Sequence, residues 1–367
     1  MKRHDLDATG ICVVIAARNA EGTVARAVGS ALAQDHVREV IVVDDASTDR
    51  TAAAAWTADD GSGRLKVLVE AQNLGPAGAR NRALACSQAP YFCVLDADDY
   101  MLPGRMARLI ASGGDGEWHM IADDIIILPQ QGRLTFSLQR GDGAGTQRLL
   151  DVEGFVLGNI SRAGQPRGEL GFLKPVVSRA FMRQYALAYD ETIRLGEDYA
   201  FYLLALLHGA RFRLVSACGY VAVERPDSLS SRHGSDDLAR IAAFDDAVLQ
   251  GDWAIRPDER RALEKHRDAM RNKFIYAAAL EKKQAGGIGS GLAWLAGKPS
   301  AWPFVLAQTL RAKTQSLARR VGLGSAGGRP HLRFLIGLPD AQFADVRTLP
   351  AHDEHGSLLA EPLRPSA

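Results

Sequence analysis

Over its first hundred residues the chain alternates short apolar runs with segments of helical period, and most of the apolar runs stop abruptly at polar or acidic residues. Gly10-Ile11-Cys12-Val13-Val14-Ile15-Ala16-Ala17 ends at Arg18-Asn19, and Glu39-Val40-Ile41-Val42-Val43 ends at Asp44-Asp45. Tyr91-Phe92-Cys93-Val94-Leu95 runs into Asp96-Ala97-Asp98-Asp99, three carboxylates within four residues. Leu65-Lys66-Val67-Leu68-Val69 is a further strand of the series. Continuous apolar runs of this kind read as parallel strands covered on both faces. Between them Val24, Ala27, Val28, Ala31 and Leu32 recur at helical spacing behind Thr23, the expected N-cap. Residues 51–57 form a second helix that Ser47 or Asp49 can cap, and the glycine-marked loop Asn73-Leu74-Gly75-Pro76-Ala77-Gly78 feeds a third. Strand and helix in alternation predict a doubly wound, mostly parallel α/β sheet with right-handed crossovers.

In such a sheet successive carboxyl ends converge on one crevice, where open α/β folds keep their ligands. Ala17-Arg18-Asn19, Asp44-Asp45, Gly78-Ala79-Arg80-Asn81 and Asp96-Ala97-Asp98 therefore line a single expected pocket. Asp96 and Asp98, one small residue apart, offer hard oxygen donors suited to Mg²⁺ or Mn²⁺ bridged to a diphosphate. Each element also has a plainer reading. An acidic strand end can be a turn cap without a ligand, Asp44-Asp45 can be a helix N-cap cluster, and Arg80 can be a solvated surface arginine.

From about Ser112 the pattern changes. Met120-Ile121-Ala122-Asp123-Asp124-Ile125-Ile126-Ile127 is a strand with a central acidic pair, expected to pair with residues 134–138 across Gln130-Gln131-Gly132. Glycine-rich loops at residues 141–145 and 164–171 suit an acceptor-side region. Ser178 is the expected cap of a helix over residues 179–185. Gly196-Glu197-Asp198 opens a strongly apolar helix reaching His208. Acids in a first helical turn are favoured by the dipole alone. Following a glycine whose backbone can approach a ligand, and beside an apolar wall that raises proton affinity, they also suit a general base. Strands at residues 211–215 and 220–223 precede the basic loop Arg225-Pro226-Asp227-Ser228-Leu229-Ser230-Ser231-Arg232-His233, which can fold over a diphosphate or stand as an ordinary surface loop. Residues 236–284 are charged with helical period, residues 286–291 break the chain, and residues 292–310 are amphipathic, followed by Arg311, Lys313, Arg319 and Arg320. The tail beyond Gly322, rich in Gly, Pro and Ala, reads as disordered apart from a strand at residues 332–336.

Composition narrows the class. With 367 residues, 47% apolar and 24% charged, the chain can bury a sizeable core, and a net charge of +1 gives no argument for nucleic acid. Cys12, Cys86, Cys93 and Cys218 show no CxxC spacing and read as reduced thiols. No window approaches the roughly 18 uninterrupted apolar residues of a spanning helix. The first apolar run is a strand, not a signal peptide, so a cytoplasmic protein is expected.

The ordered set Val14-Ile15-Ala16-Ala17-Arg18-Asn19, Val43-Asp44-Asp45-Ala46-Ser47-Thr48-Asp49, Asn73-Leu74-Gly75-Pro76-Ala77-Gly78-Ala79-Arg80-Asn81, Leu95-Asp96-Ala97-Asp98-Asp99 and Gly196-Glu197-Asp198 resembles family 2 glycosyltransferases of the GT-A fold. It is similar in particular to bacterial exopolysaccharide enzymes of the succinoglycan type. The resemblance covers about residues 9–235 and implies inverting transfer of one sugar from a nucleotide-sugar, usually a UDP-sugar, with a divalent cation. It implies a lipid-linked oligosaccharide or polysaccharide acceptor. By position, Asp45 would contact the uracil with Asp44 beside it, Arg80 would hold the nucleotide, Asp96 would lie near the ribose and Asp98 would ligate the metal. Asp198 would be the base, with Glu197 the competing assignment. Arg18-Asn19 stands where the family often has Tyr-Asn, and the Gln-x-x-Arg-Trp signature of processive members is absent after Asp198.

The expected organisation is a nucleotide-sugar-binding and catalytic domain over residues 1–235, a helical extension over 236–322 and a disordered tail over 323–367. The amphipathic segment with its basic followers predicts peripheral contact with the cytoplasmic face of the inner membrane. Two rivals remain at this level. A sugar-nucleotidyltransferase needs a glycine-rich phosphate loop after the first strand, and Arg18-Asn19-Ala20-Glu21 is not one. A non-catalytic sugar-nucleotide-binding protein would have no need of Glu197-Asp198.

Overall fold

The computed structural model describes residues 10–114, 118–129, 148–161, 169–224 and 234–320, with the pairs 333–334 and 342–343. The apolar runs become β1 (Ile11–Ala17), β2 (Val37–Asp45), β3 (Leu65–Glu70) and β4 (Tyr91–Val94), alternating with α1 (Val24–Leu32), α2 (Thr51–Trp56) and α3 (Gly75–Cys86). β1 is fully buried from Ile11 to Ile15, as a strand covered on both faces must be. α1 turns Val24, Ala27, Val28, Ala31 and Leu32 onto the sheet.

Then come β5 (Tyr100–Met101), α4 (Arg105–Gly113), β6 (Met120–Pro129), β7 (Arg148–Leu150), α5 (Val152–Gly158), β8 (Val176–Ser178), α6 (Arg179–Gln184), α7 (Glu197–Leu207) and β9 (Phe212–Glu224). α8 (Ser235–Gln250), α9 (Pro257–Ala296) and α10 (Trp302–Arg320) follow, with short strands β10 (Arg333–Phe334) and β11 (Gln342–Phe343).

The eleven strands of the described residues form one sheet, whose main path runs β11-β9-β6-β8-β4-β1-β2-β3. β1 pairs in parallel with both β2 and β4, so the strand order reverses at β1 and its carboxyl end opens onto a crevice. β8 breaks the parallel run by pairing antiparallel with both β4 and β6. β6 then pairs in parallel with β9, and the two strands expected at residues 211–215 and 220–223 are one continuous strand. The hairpin partner expected for β6 at residues 134–138, the glycine loop at 141–145 and most of that at 164–171 lie outside the described residues. The strand expected in the tail is present as β10, antiparallel to β6.

Several local expectations change. Thr23 makes no side-chain cap, and its hydroxyl instead donates to the Ala20 carbonyl. Asp49 accepts from the Thr51 backbone N–H at 3.0 Å, whereas Ser178 does cap α6 through the Phe181 N–H. The expected break at residues 286–291 is present: α9 is two helical halves meeting at a kink at Gly287 (φ 79°, ψ 179°), and the second folds back so that Trp294 packs on Phe274 with ring centroids 6.2 Å apart. Pro303 is accommodated near the start of α10, where a missing N–H costs little. α7 is buried nearly all round, from Glu197 to Leu203, so its two acids enter the protein rather than the solvent.

Candidate active site

The carboxyl end of β4, the first turns of α3 and the start of α7 meet at one charged cluster. Arg80 Nη1 donates to Glu197 Oε1 at 2.5 Å and to Asp198 Oδ1 at 2.9 Å, while Nη2 reaches Asp96 Oδ1 at 3.3 Å. Lys174, from the loop before β8, completes the arrangement with Nζ 3.0 Å from Asp96 Oδ2 and 2.9 Å from Asp198 Oδ2. Three carboxylates thus share two cations, and each cation bridges the β4 side to the α7 side. The Tyr189 ring lies 5.3 Å from the Arg80 guanidinium carbon. Among the described residues, buried Arg80 Nε and the Tyr189 hydroxyl have no hydrogen-bond partner.

Burial disfavours charge on Asp96, yet Lys174 and Arg80 outweigh it and hold the carboxyl below its usual range. Burial also opposes the charge on Lys174, but Asp198 and Asp96 hold its ammonium well above the usual lysine range. Glu197 goes the other way: burial raises its proton affinity, Arg80 opposes this, and the neighbouring Asp198 adds to it. Lys174 escaped the sequence reading. Its signal was a lone charge inside the apolar stretch Phe172-Leu173-Lys174-Pro175-Val176-Val177.

Asp99 is buried beneath the site, accepting from the Tyr220 hydroxyl at 2.7 Å and the Val223 N–H at 2.9 Å. Burial and then the charges of Asp98 and Asp96 push its proton affinity well up. The Tyr220 hydroxyl also accepts from the Asp96 N–H at 3.1 Å, so β9 fixes the backbone of the acidic loop. Asp98 is partly exposed there, and its carbonyl accepts from Arg26 at 2.5 Å.

The other strand-end residues build the crevice wall. Asp45 is buried, its two oxygens accepting from the Leu74 and Gly75 N–H groups at 2.6 and 3.0 Å, which fixes the start of the helix bearing Arg80. Asp44 accepts from the Ser47 N–H at 3.1 Å. Asn19, at φ 50°, stitches the β1 loop to the β2 loop by accepting from the Thr48 N–H at 2.8 Å and donating to Ser47 Oγ at 2.9 Å. Ala17 is buried opposite Asp44 at the end of β1. Gly196 adopts φ 89°, which only glycine takes easily, and it packs against Ile241 of α8, so the turn entering α7 itself requires glycine. Arg225 and His233 lie outside the described residues. Among those described, no three His, Cys, Asp or Glu side chains are grouped to hold a metal by themselves.

The family description Glycosyl transferase family 2 matches residues 12–130, from β1 through β6. Succinoglycan biosynthesis protein ExoU of Rhizobium meliloti (strain 1021) is 42% identical over 331 residues, spanning 89% of this chain and 95% of that protein. The chain belongs to glycosyl transferase family 2. This glycosyltransferase is also 31% identical to succinoglycan biosynthesis protein ExoO of the same organism, over 76% of its own length and 79% of the relative's. The crystal structure of S. aureus TarS 1–349 in complex with UDP-GlcNAc superposes with a TM-score of 0.53 at 19% identity, covering 75% of this chain and 81% of that one. The fold is GT-A.

Proposed function

We propose that the enzyme transfers one sugar, with inversion, from a UDP-sugar to a hydroxyl of a lipid-linked or polysaccharide acceptor in exopolysaccharide synthesis. The observation that carries this reading is the ion-paired cluster of partly exposed Asp96 with buried Arg80, Lys174, Glu197 and Asp198. Asp96 belongs to the donor side, and Asp198 is held at a fixed distance from it by the same two cations. Asp198 is then the carboxylate that takes the acceptor proton as the hydroxyl attacks the anomeric carbon, with Glu197 the competing assignment because burial raises its proton affinity. The unpartnered Arg80 Nε and Tyr189 hydroxyl offer hydrogen bonds to an incoming polar ligand. Asp45 and Asp44, with Ala17 and Asn19, shape the wall for the base and ribose. The succinoglycan relatives and the UDP-GlcNAc complex of TarS support the donor and pathway class.

A divalent cation fits the donor set, because Mg²⁺ or Mn²⁺ needs only one or two protein carboxylates when a diphosphate supplies the other oxygens. Asp98, partly exposed at the mouth, would hold it. When bound, the ion neutralises charge on the departing diphosphate.

Peripheral contact with an anionic membrane surface accompanies this reading. No described helix is long and apolar enough to cross a membrane. Ile288 and Leu292 on α9, and Trp302, Leu306 and Leu310 on α10, nevertheless stand exposed at four-residue spacing with Lys283 and Lys313 nearby in sequence.

The test is incubation with a panel of UDP-sugars and Mn²⁺ or Mg²⁺, following UDP release. Wild type should turn over at least one donor, and Asp98→Ala and Asp198→Asn should each lose at least about a hundredfold. Variants matching wild type would overturn the assignment of those residues.

A further inference from the structure

The helical extension reaches the start of α7 from one side at three points. Arg240 of α8 donates to the Thr192 carbonyl at 3.0 Å, in the turn leading to Gly196. One residue on, Ile241 fills the space beside Gly196, where an added Cβ would lie 2.8 Å from Ile241 Cδ1. One turn further along α8, Asp245 accepts from the Tyr199 hydroxyl at 2.8 Å. Ile241 and Asp245 are four residues apart on one helix face, and the residues they hold, Gly196 and Tyr199, bracket Glu197-Asp198 on either side. α9 locks the arrangement: His266 Nδ1 lies 2.7 Å from Asp245 Oδ2, and its ring stacks on Tyr199 with centroids 4.4 Å apart. Asp245 is fully buried, and His266 and Tyr199 are nearly so. At the other end of α8, Ser235 is tied to Glu281 of α9 at 2.9 and 2.6 Å.

A fully buried carboxylate is expensive for a core to keep, and an apolar residue in its place would pack α8 onto α7 without desolvating a charge. What the Tyr199–Asp245–His266 chain adds over apolar packing is direction: hydrogen bonds fix the rotation of the first turn of α7, while apolar contact fixes only its distance. We propose that Asp245 and His266 are positioning residues, through which α8 and α9 orient Glu197 and Asp198 toward Arg80 and Lys174. The inference rests on the reading of that carboxylate pair as the working acids.

The full-length protein is compared with Asp245→Ala, His266→Ala and the conservative His266→Asn, whose amide nitrogen can reoccupy the place of Nδ1. Amide hydrogen exchange is followed over residues 193–201, with β1 and α1 as control, and UDP release from the UDP-sugar panel gives kcat and donor KM separately. The alanine variants should exchange at residues 193–201 about tenfold faster with β1 unaffected, and His266→Asn should restore most of the protection. In turnover, kcat per folded molecule should fall about tenfold while donor KM stays within about twofold. Uniform loosening of the whole protein, unchanged exchange, or unchanged kcat per folded molecule would each overturn the proposal. Should the alanine variants fail to fold, Tyr199→Phe removes only the bond to Asp245 and must show the same local change, smaller. If wild type turns over no UDP-sugar, the functional reading fails, while the exchange comparison still decides whether α8 and α9 set the first turn of α7.

Discussion

Lys174 and Arg80 each touch a carboxylate from the end of β4 and one from the start of α7, so losing Lys174 leaves three carboxylates sharing Arg80 alone. Lys174→Met should lower stability by about 3 kcal/mol, the low end for breaking a buried pair because the Asp96 side chain is 38% exposed. The effect should depend on pH. The depressed Asp96 contributes stability that is present above its unfolded value of about 4 and lost as pH falls through the folded one. The elevated Lys174 contributes stability that is present below about pH 10 and lost as pH rises beyond it. The difference in thermal midpoint between wild type and Lys174→Met should therefore be widest between about pH 5 and 9 and shrink on the acid side as the carboxylates protonate. A difference that is flat down to pH 3 would contradict this. At this scale the sequence disclosed the acids well, because Asp96, Glu197 and Asp198 follow apolar runs or a glycine at a visible edge. It disclosed their partners poorly, because the Arg80 to Asp198 contact spans 118 residues and has no local signature.

Among the elements, β1 to β4 and their helices were legible because their period and the residues that end them are local properties. The insertion of β8 between β4 and β6, and the pairing of β6 with β9, were not, since strand pairing is decided by packing between distant segments. β9 illustrates what such pairing supports. Gly219 lies where an added Cβ would fall 2.6 Å from Arg105 Cγ. Arg105 is fully buried, pairs with Asp123 at 2.7 Å and donates to the Lys174 carbonyl at 2.6 Å. Gly219→Ala should destabilise the protein by about 1–3 kcal/mol through overpacking and loosen the lysine loop, read as a lower thermal midpoint. On α10, replacing Leu306 and Leu310 by Glu should abolish flotation with phosphatidylglycerol vesicles while leaving the thermal midpoint unchanged, since both side chains are exposed. Vesicle binding that survives this double change would remove α10 from the proposed membrane contact.

In the whole molecule the core runs from β1 across the sheet into α8 and α9, with Leu238, Ile241, Val248, Leu263 and Met270 buried in the same cluster as the strands. A chain ended at residue 234 would expose that surface and leave Tyr199 without Asp245. It should be recovered as insoluble or molten protein, whereas ending the chain at residue 298 should leave a cooperative unfolding transition. The joint between α8 and α7 also bears on how such enzymes can be recombined. The break in pattern near residue 235 looks like a natural seam for exchanging halves with a relative of different acceptor preference. A cut there would pair one parent's α8 with the other parent's turn at residues 192–199, separating Arg240 from Thr192, Ile241 from Gly196 and Asp245 from Tyr199. Chimeras should keep activity only when the turn and both helices travel together, so the unit of inheritance for acceptor choice begins before Thr192 rather than at the apparent domain edge.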